Sequence, residues 1–146
     1  MALSEIVHHR RVTFPETDAS GIVHFSNFFK YVEEAEHALW RAAGLTISGR
    51  DPSIGFPRVA ASFEYRKPLR FEDEFDVHLS VAAKTAKTIR YSAVLRKDGE
   101  VLAEGSLTII CVRRQAGEPL RARDIPADIS DRFEVADGSK LSGRTS

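Results

Sequence analysis

Apolar residues change their spacing once in the first third of the chain, from two to about 3.6. Residues 5–14 carry Ile6, Val12 and Phe14 on alternate positions, which predicts a strand ended by Pro15. From Asn27 onward Phe28, Val32, Ala35, Leu39 and Ala43 recur at helical spacing, and Phe29 and Trp40 widen the stripe. Ser26 or Asn27 can cap the start, and Gly44 is a natural stop. A helix of about 17 residues is marginal alone in water, so it must pack on something.

After the turn-rich stretch 46–57, with Gly49, Pro52, Gly55 and Pro57, the period returns to two. Val59, Ala61, Phe63 and Tyr65 form one run, ended by Pro68. Phe75, Val77, Leu79, Val81 and Ala83 form the next, and Ile89, Tyr91, Ala93 and Leu95 a third. Asp98-Gly99 marks a tight hairpin, and Val101 to Val112 is a last strand, apolar on both faces in its second half. Strands so closely joined are expected to pair as an antiparallel meander. The fold class is therefore α+β, a strand and one long helix followed by four antiparallel strands. One helix covers little more than one face of such a sheet, so self-association into a dimer or a dimer of dimers is expected. The pattern fades after Arg113. Residues 1–136 read as a single domain and 137–146 as a disordered tail.

Composition narrows the chemistry. The 146 residues suit one domain, and an apolar share of 42% suffices for one core. With 21 basic against 21 acidic residues there is no global field to draw the chain to nucleic acid or an anionic membrane. His8-His9-Arg10-Arg11 is short, lies in a strand and reads as a solvated strand end. No apolar run approaches a membrane span and the start has no signal-peptide pattern, so a cytoplasmic location is expected. Cys111, the single cysteine, sits in an apolar run and reads as a buried small hydrophobe. No His/Cys spacing suits a metal and no Gly-rich loop suits a phosphate, so neither metal nor cofactor is expected.

The candidate chemistry is concentrated between the first strand and the helix. Asp18 is a base or a nucleophile by type, and Gly21 lets a ligand approach the main chain. The helix start beyond them offers free amides and a positive dipole end. An acid beside such donors is what acyl transfer needs, but these residues by spacing alone also suit a turn and a cap. His24 is either ligand-facing or a polar residue at the helix entry, and Asn27 either a cap or a substrate contact. Glu33, Glu34 and Glu36 allow a rival acid on the helix, against a solvated face with Lys30–Glu34 pairing.

The segment Phe14-Pro15-Glu16-Thr17-Asp18-Ala19-Ser20-Gly21-Ile22-Val23-His24-Phe25-Ser26-Asn27-Phe28-Phe29 resembles the signature of the 4-hydroxybenzoyl-CoA thioesterase family of hotdog proteins. Tyr31 and Glu34-Ala35 match its helical part, and Ser62–Pro68 and Asp98–Gly105 are of the same type, so the likeness covers roughly residues 5–127. The resemblance implies a hotdog fold, a five-stranded antiparallel sheet wrapped around the long helix, in dimers that commonly pair into tetramers. It implies hydrolysis of an acyl-CoA to a carboxylic acid and CoA at a site on the dimer interface. Asp18 would attack the thioester or activate water, and the Phe25 amide would polarise the carbonyl. His24 is expected beside them, with Gly21 and Asn27 at the substrate. Lys84, Lys87 and Arg90, and also Arg66 and Lys67, are candidates for the CoA phosphates. Many relatives carry Tyr or His where this chain has Phe25, and Arg where it has His37. The alternative function is a non-catalytic module binding acyl-CoA or acyl-carrier protein on the same fold. Phe25, Phe28, Phe29 and Trp40 are either an aromatic acyl pocket or core.

Overall fold

The computed structural model describes residues 2–49 and 51–137. The tail expected over 137–146 lies outside them apart from Asp137. The elements in chain order are β1 (Glu5–Arg11), α1 (Asn27–Ala42), β2 (Ile54–Gly55), β3 (Arg58–Tyr65) and β4 (Glu74–Lys84). They are followed by β5 (Thr88–Lys97), β6 (Glu100–Ile110), β7 (Val112–Arg113), β8 (Arg121–Ala122) and the short α2 (Ala127–Ser130).

Five strands form an antiparallel sheet in the order β1-β4-β5-β6-β3. With one long helix against it, this is the hotdog architecture that the resemblance implied. A small second sheet, β2-β7-β8, extends one end. The apolar stripe of α1 supplies Phe28, Tyr31, Val32, Ala35, Leu39 and Trp40 to the core. The inward residues of the central strands meet them: Val77, Leu79 and Val81 of β4, and Tyr91 and Leu95 of β5. Gly44, at φ +82°, turns the chain out of the helix as expected. Cys111 is fully buried, and burial pushes its thiol above the usual range.

Two expectations are corrected. The sheet is not a sequential meander, because β3 pairs with β6 rather than with β4. Residues 66–73 therefore cross three strand spacings, about 14 Å, a span that a chain of that length covers easily. The first strand stops at Arg11, and Phe14 is 70% exposed in a 3₁₀ turn, Phe14–Glu16, that Pro15 favours. The apolar residues of β3 are not all core: Val59 is 57% exposed and Tyr65 44%. β3 is an edge strand; the body of α1 lies chiefly against β1 and β4 and reaches β3 through side chains such as Phe28 and Phe29.

The crossing segment positions the loop before α1. Leu69 is fully buried and plugs the sheet end. The Val23 amide donates to the Leu69 carbonyl at 2.8 Å, and Ile22 bridges to Arg70. The loop holding Asp18 is thereby fixed between the helix start and the segment that follows β3.

Candidate active site

A cleft of about 310 Å³ opens at this junction. Asp18, Ile22, Val23, Phe25 and Phe28 line one side, and Tyr65, Arg66, Lys67 and Pro68 the other. The walls are mainly apolar, with a few polar groups, as a small-molecule site requires.

Local hydrogen bonds shape the loop. The Asp18 amide donates to the Ile22 carbonyl at 2.9 Å, and the Gly21 amide to the Asp18 carbonyl at 3.0 Å. Gly21 sits at φ +84°, where a side chain is strained, and the space beside its Cα is open. Asp18 is exposed, and its Oδ1 accepts from the Ser20 hydroxyl and, at 2.8 Å, from the Ser20 amide. The Ser20 hydroxyl and amide, helped by nearby His24, hold the Asp18 carboxyl below the usual range. It is ionised at neutral pH, as a base or nucleophile must be.

The Phe25 amide is the second chemical feature. The carbonyl of the peptide joining His24 to Phe25 accepts from the Asn27 amide at 2.9 Å. In a trans peptide the Phe25 N–H then points the opposite way, and it donates to no acceptor among the described residues. The next carbonyl, that of Phe25, accepts from the Phe28 amide at 3.2 Å and from the Tyr65 hydroxyl at 3.1 Å. A free amide on the wall that carries Asp18 is suited to a developing oxyanion.

The remaining expected residues divide. His24 is exposed at the helix entry, its Nδ1 2.8 Å from the Ser26 hydroxyl and its ring tilted over Phe25 at 4.5 Å. Neither expected cap forms: Ser26 already has helical angles and makes no side-chain cap bond. Asn27 is 8% exposed, and its side-chain amide donates to the Glu16 carbonyl at 2.9 Å. It ties the 3₁₀ turn to α1 and does not line the cleft. Lys84 and Lys87 are engaged elsewhere: the Lys84 amine donates to the Ser130 and Phe133 carbonyls, and Lys87 pairs with Asp124. Arg90 is exposed on β5, and none of the three lines the cleft within one chain. Arg66 and Lys67 do line it, paired with Glu104 and Glu100. Of the four aromatic candidates Phe25 and Phe28 line the cleft; Phe29 packs on Phe63, and Trp40 is core, bonded to Tyr91.

Two polar clusters escaped the sequence reading. Arg10, read there as a solvated strand end, bonds Glu16 and Glu34 and lies over the Tyr31 ring at 5.0 Å. Glu16 also accepts from the Thr13 amide and the Tyr31 hydroxyl. Burial would raise the Glu16 carboxyl, but the Arg10, Thr13 and Tyr31 donors outweigh it and hold it low. Glu34 thus pairs with Arg10, and the Lys30–Glu34 pair does not form. Glu36 is not solvated but fully buried, paired with Arg58, and burial raises its carboxyl. It does not line the cleft, so the rival helix acid has no substrate access there. No group of His, Cys, Asp and Glu among the described residues could hold a metal, and none of their helices is long and apolar enough to cross a membrane.

Comparison with known proteins agrees with this fold. The profile described as the thioesterase-like superfamily matches residues 12–133. The crystal structure of a hypothetical protein from Aquifex aeolicus superposes with a TM-score of 0.82 at 32% identity, covering 88% of this chain and 99% of that one. A gentisyl-coenzyme A thioesterase superposes at 0.77 with 31% identity, over 86% and 99%. A 1,4-dihydroxy-2-naphthoyl-CoA hydrolase of Parasynechococcus marenigrum (strain WH8102) is 27% identical, covering 75% of this chain and 78% of its own. The last two differ in acyl group, so the likeness extends to the superfamily and not to 4-hydroxybenzoyl-CoA thioesterases in particular.

Proposed function

The chain belongs to the thioesterase-like superfamily and is a thioester hydrolase, and we propose that it cleaves an acyl-CoA to a carboxylic acid and CoA with Asp18 as its catalytic carboxylate. The observation that carries this reading is the presence of Asp18 and Phe25 in one cleft, the first ionised and the second with a free amide. Asp18 Oδ2 attacks the thioester carbon, giving an acyl-aspartyl anhydride and the CoA thiolate, or takes a proton from the attacking water. The Phe25 N–H receives the carbonyl oxygen as its charge develops, a contribution of about 3 kcal/mol to the barrier. Gly21 keeps the loop low enough for the substrate to approach. His24 stands beside Phe25 but does not line the cleft within one chain, and its assigned role is toward the acyl group or the water.

Arg66 and Lys67 take the place first given to Lys84, Lys87 and Arg90 as partners of the CoA phosphates. The working unit is a dimer or tetramer: the open edge of β3 and the exposed Val59 and Tyr65 favour a second copy there. Residues 1–136 are assigned to a single domain.

The test is Asp18→Asn assayed on aromatic, short-chain and long-chain acyl-CoAs. Asp18 is exposed, so folding should persist while kcat/KM falls about 10²- to 10⁴-fold. Full activity in a folded variant overturns the reading. Tight binding of CoA thioesters by the unsubstituted protein, with no turnover across the panel, would make it a binding module instead.

A further inference from the structure

The Phe25 amide is useful only if its peptide is held still, because an oxyanion donor acts through preorganisation. The holding bonds come from two directions. The peptide before Phe25 is fixed by the first turn of α1, through the Asn27 amide on the His24 carbonyl. The peptide after it is fixed partly by the same turn, at a longer 3.2 Å from the Phe28 amide, and partly from across the cleft. That second contact comes from the last residue of β3, the Tyr65 hydroxyl, at 3.1 Å from the Phe25 carbonyl.

We propose that Tyr65 is a positioning residue for the hydrolysis, fixing the Phe25 main chain so that its N–H faces the thioester oxygen. The inference rests on the reading of Phe25 as the oxyanion donor. Three observations give Tyr65 this role and not that of a chance surface contact. Its ring is wedged edge-on to Phe28 at 4.9 Å and to Phe25 at 6.4 Å, and it lies beside Phe63 at 5.8 Å, which limits where the hydroxyl can go. Burial raises its phenol above the ordinary value, so it remains a donor across the neutral range. It is also the only partner of the Phe25 carbonyl, among the described residues, that does not belong to the helix start itself.

The location matters for function as well as geometry. Phe25 stands on the helix side of the cleft and Tyr65 on the edge-strand side. Their bond therefore spans the cleft and couples the donor to β3, one of the two edge strands of the sheet.

The experiment compares Tyr65→Phe with the unsubstituted protein and with Asp18→Asn, on whichever acyl-CoA of the panel is turned over fastest. Tyr65→Phe keeps the ring and its packing and removes only the hydroxyl. The expected result is a kcat lowered about 3- to 10-fold with KM within about twofold and an unchanged melting temperature. A purely structural hydroxyl would lower the melting temperature or raise KM without that selective loss of kcat, and either pattern overturns the proposal. An unchanged kcat in Tyr65→Phe beside an inactive Asp18→Asn overturns the Tyr65 inference alone. Full activity in Asp18→Asn overturns the catalytic reading on which it rests.

Discussion

Arg10 Nη2 lies 2.5 Å from Glu16 Oε2, and through that contact β1 holds the turn that leads into Asp18. Both side chains are largely buried, and the same guanidinium reaches Glu34 on α1. A strand, a 3₁₀ turn and a helix thus meet on one cation, just before Asp18 in the chain.

Arg10→Ala should destabilise the protein by about 3 kcal/mol, because it leaves the two carboxylates Glu16 and Glu34 facing each other without their cation. Urea denaturation measures the loss. A change under 1 kcal/mol would show that the cluster is solvated and energetically idle.

The same cluster sets a pH dependence. The Glu16 carboxyl is held below its ordinary 4.5 in the folded state, so the unfolded chain binds its proton first as pH falls. Its stabilising contribution is complete above 4.5 and is lost as pH drops through the lower folded value. Glu16→Gln should therefore lower stability at neutral pH and flatten the fall in stability below pH 4.5. Thermal melts of the two proteins between about pH 3 and 7 provide the comparison, and parallel curves would contradict the assignment.

Glu36 has the opposite sign. Burial raises its carboxyl, with Arg58 opposing, so its contribution is complete below 4.5 and lost as pH rises through the folded value. Relative to the unsubstituted protein, Glu36→Gln should gain stability as pH rises from about 4 to 8. Glu36→Ala should cost about 3 kcal/mol, since it opens a cavity beside Tyr91 and removes the buried partner of Arg58, leaving it Glu33 and the Phe56 carbonyl. Equal stability of the Ala variant at all pH values would mean that the site is open to water.

Gly105 lies opposite Phe63 in the β3–β6 pairing. A Cβ there would meet the Ser62 carbonyl oxygen at 2.4 Å, a backbone atom that cannot simply rotate away. Gly105→Ala should displace β3 and cost about 1–3 kcal/mol. Because β3 ends at Tyr65, hydrolysis should fall as well, although residue 105 does not line the cleft. Unaltered stability and turnover would show that the edge strand is pliable.

Hydrolysis should keep its full kcat/KM down to about pH 5, its acid limb lying below the ordinary carboxylate range, because Ser20 holds Asp18 ionised. Ser20→Ala should move that limb upward. A limb that stays in place would assign it to another group.

Much of the site's position was legible in the order of residues. The helix from Asn27 follows from the 3.6 spacing of Phe28, Val32, Ala35 and Leu39, and its end from Gly44. The loop of Asp18 and Gly21 before it follows from where that pattern begins. Polar partnerships were not legible, since Arg10, Glu16 and Glu36 carry no signal that separates a buried ion pair from a surface charge. Nor could spacing show that Lys84 is bound to the C-terminal segment or that Asn27 is spent on the Glu16 carbonyl.

The sequence by itself determined the elements and the segment in which the chemistry resides, because periodicity and turn residues act over a few neighbouring positions. Only the tertiary structure decided which elements touch. It set β3 beside β6, carried residues 66–73 across the sheet end, and brought Tyr65 to Phe25, 40 positions away. Such contacts depend on how one core closes, and burial decides there which charges pair and which amides stay free.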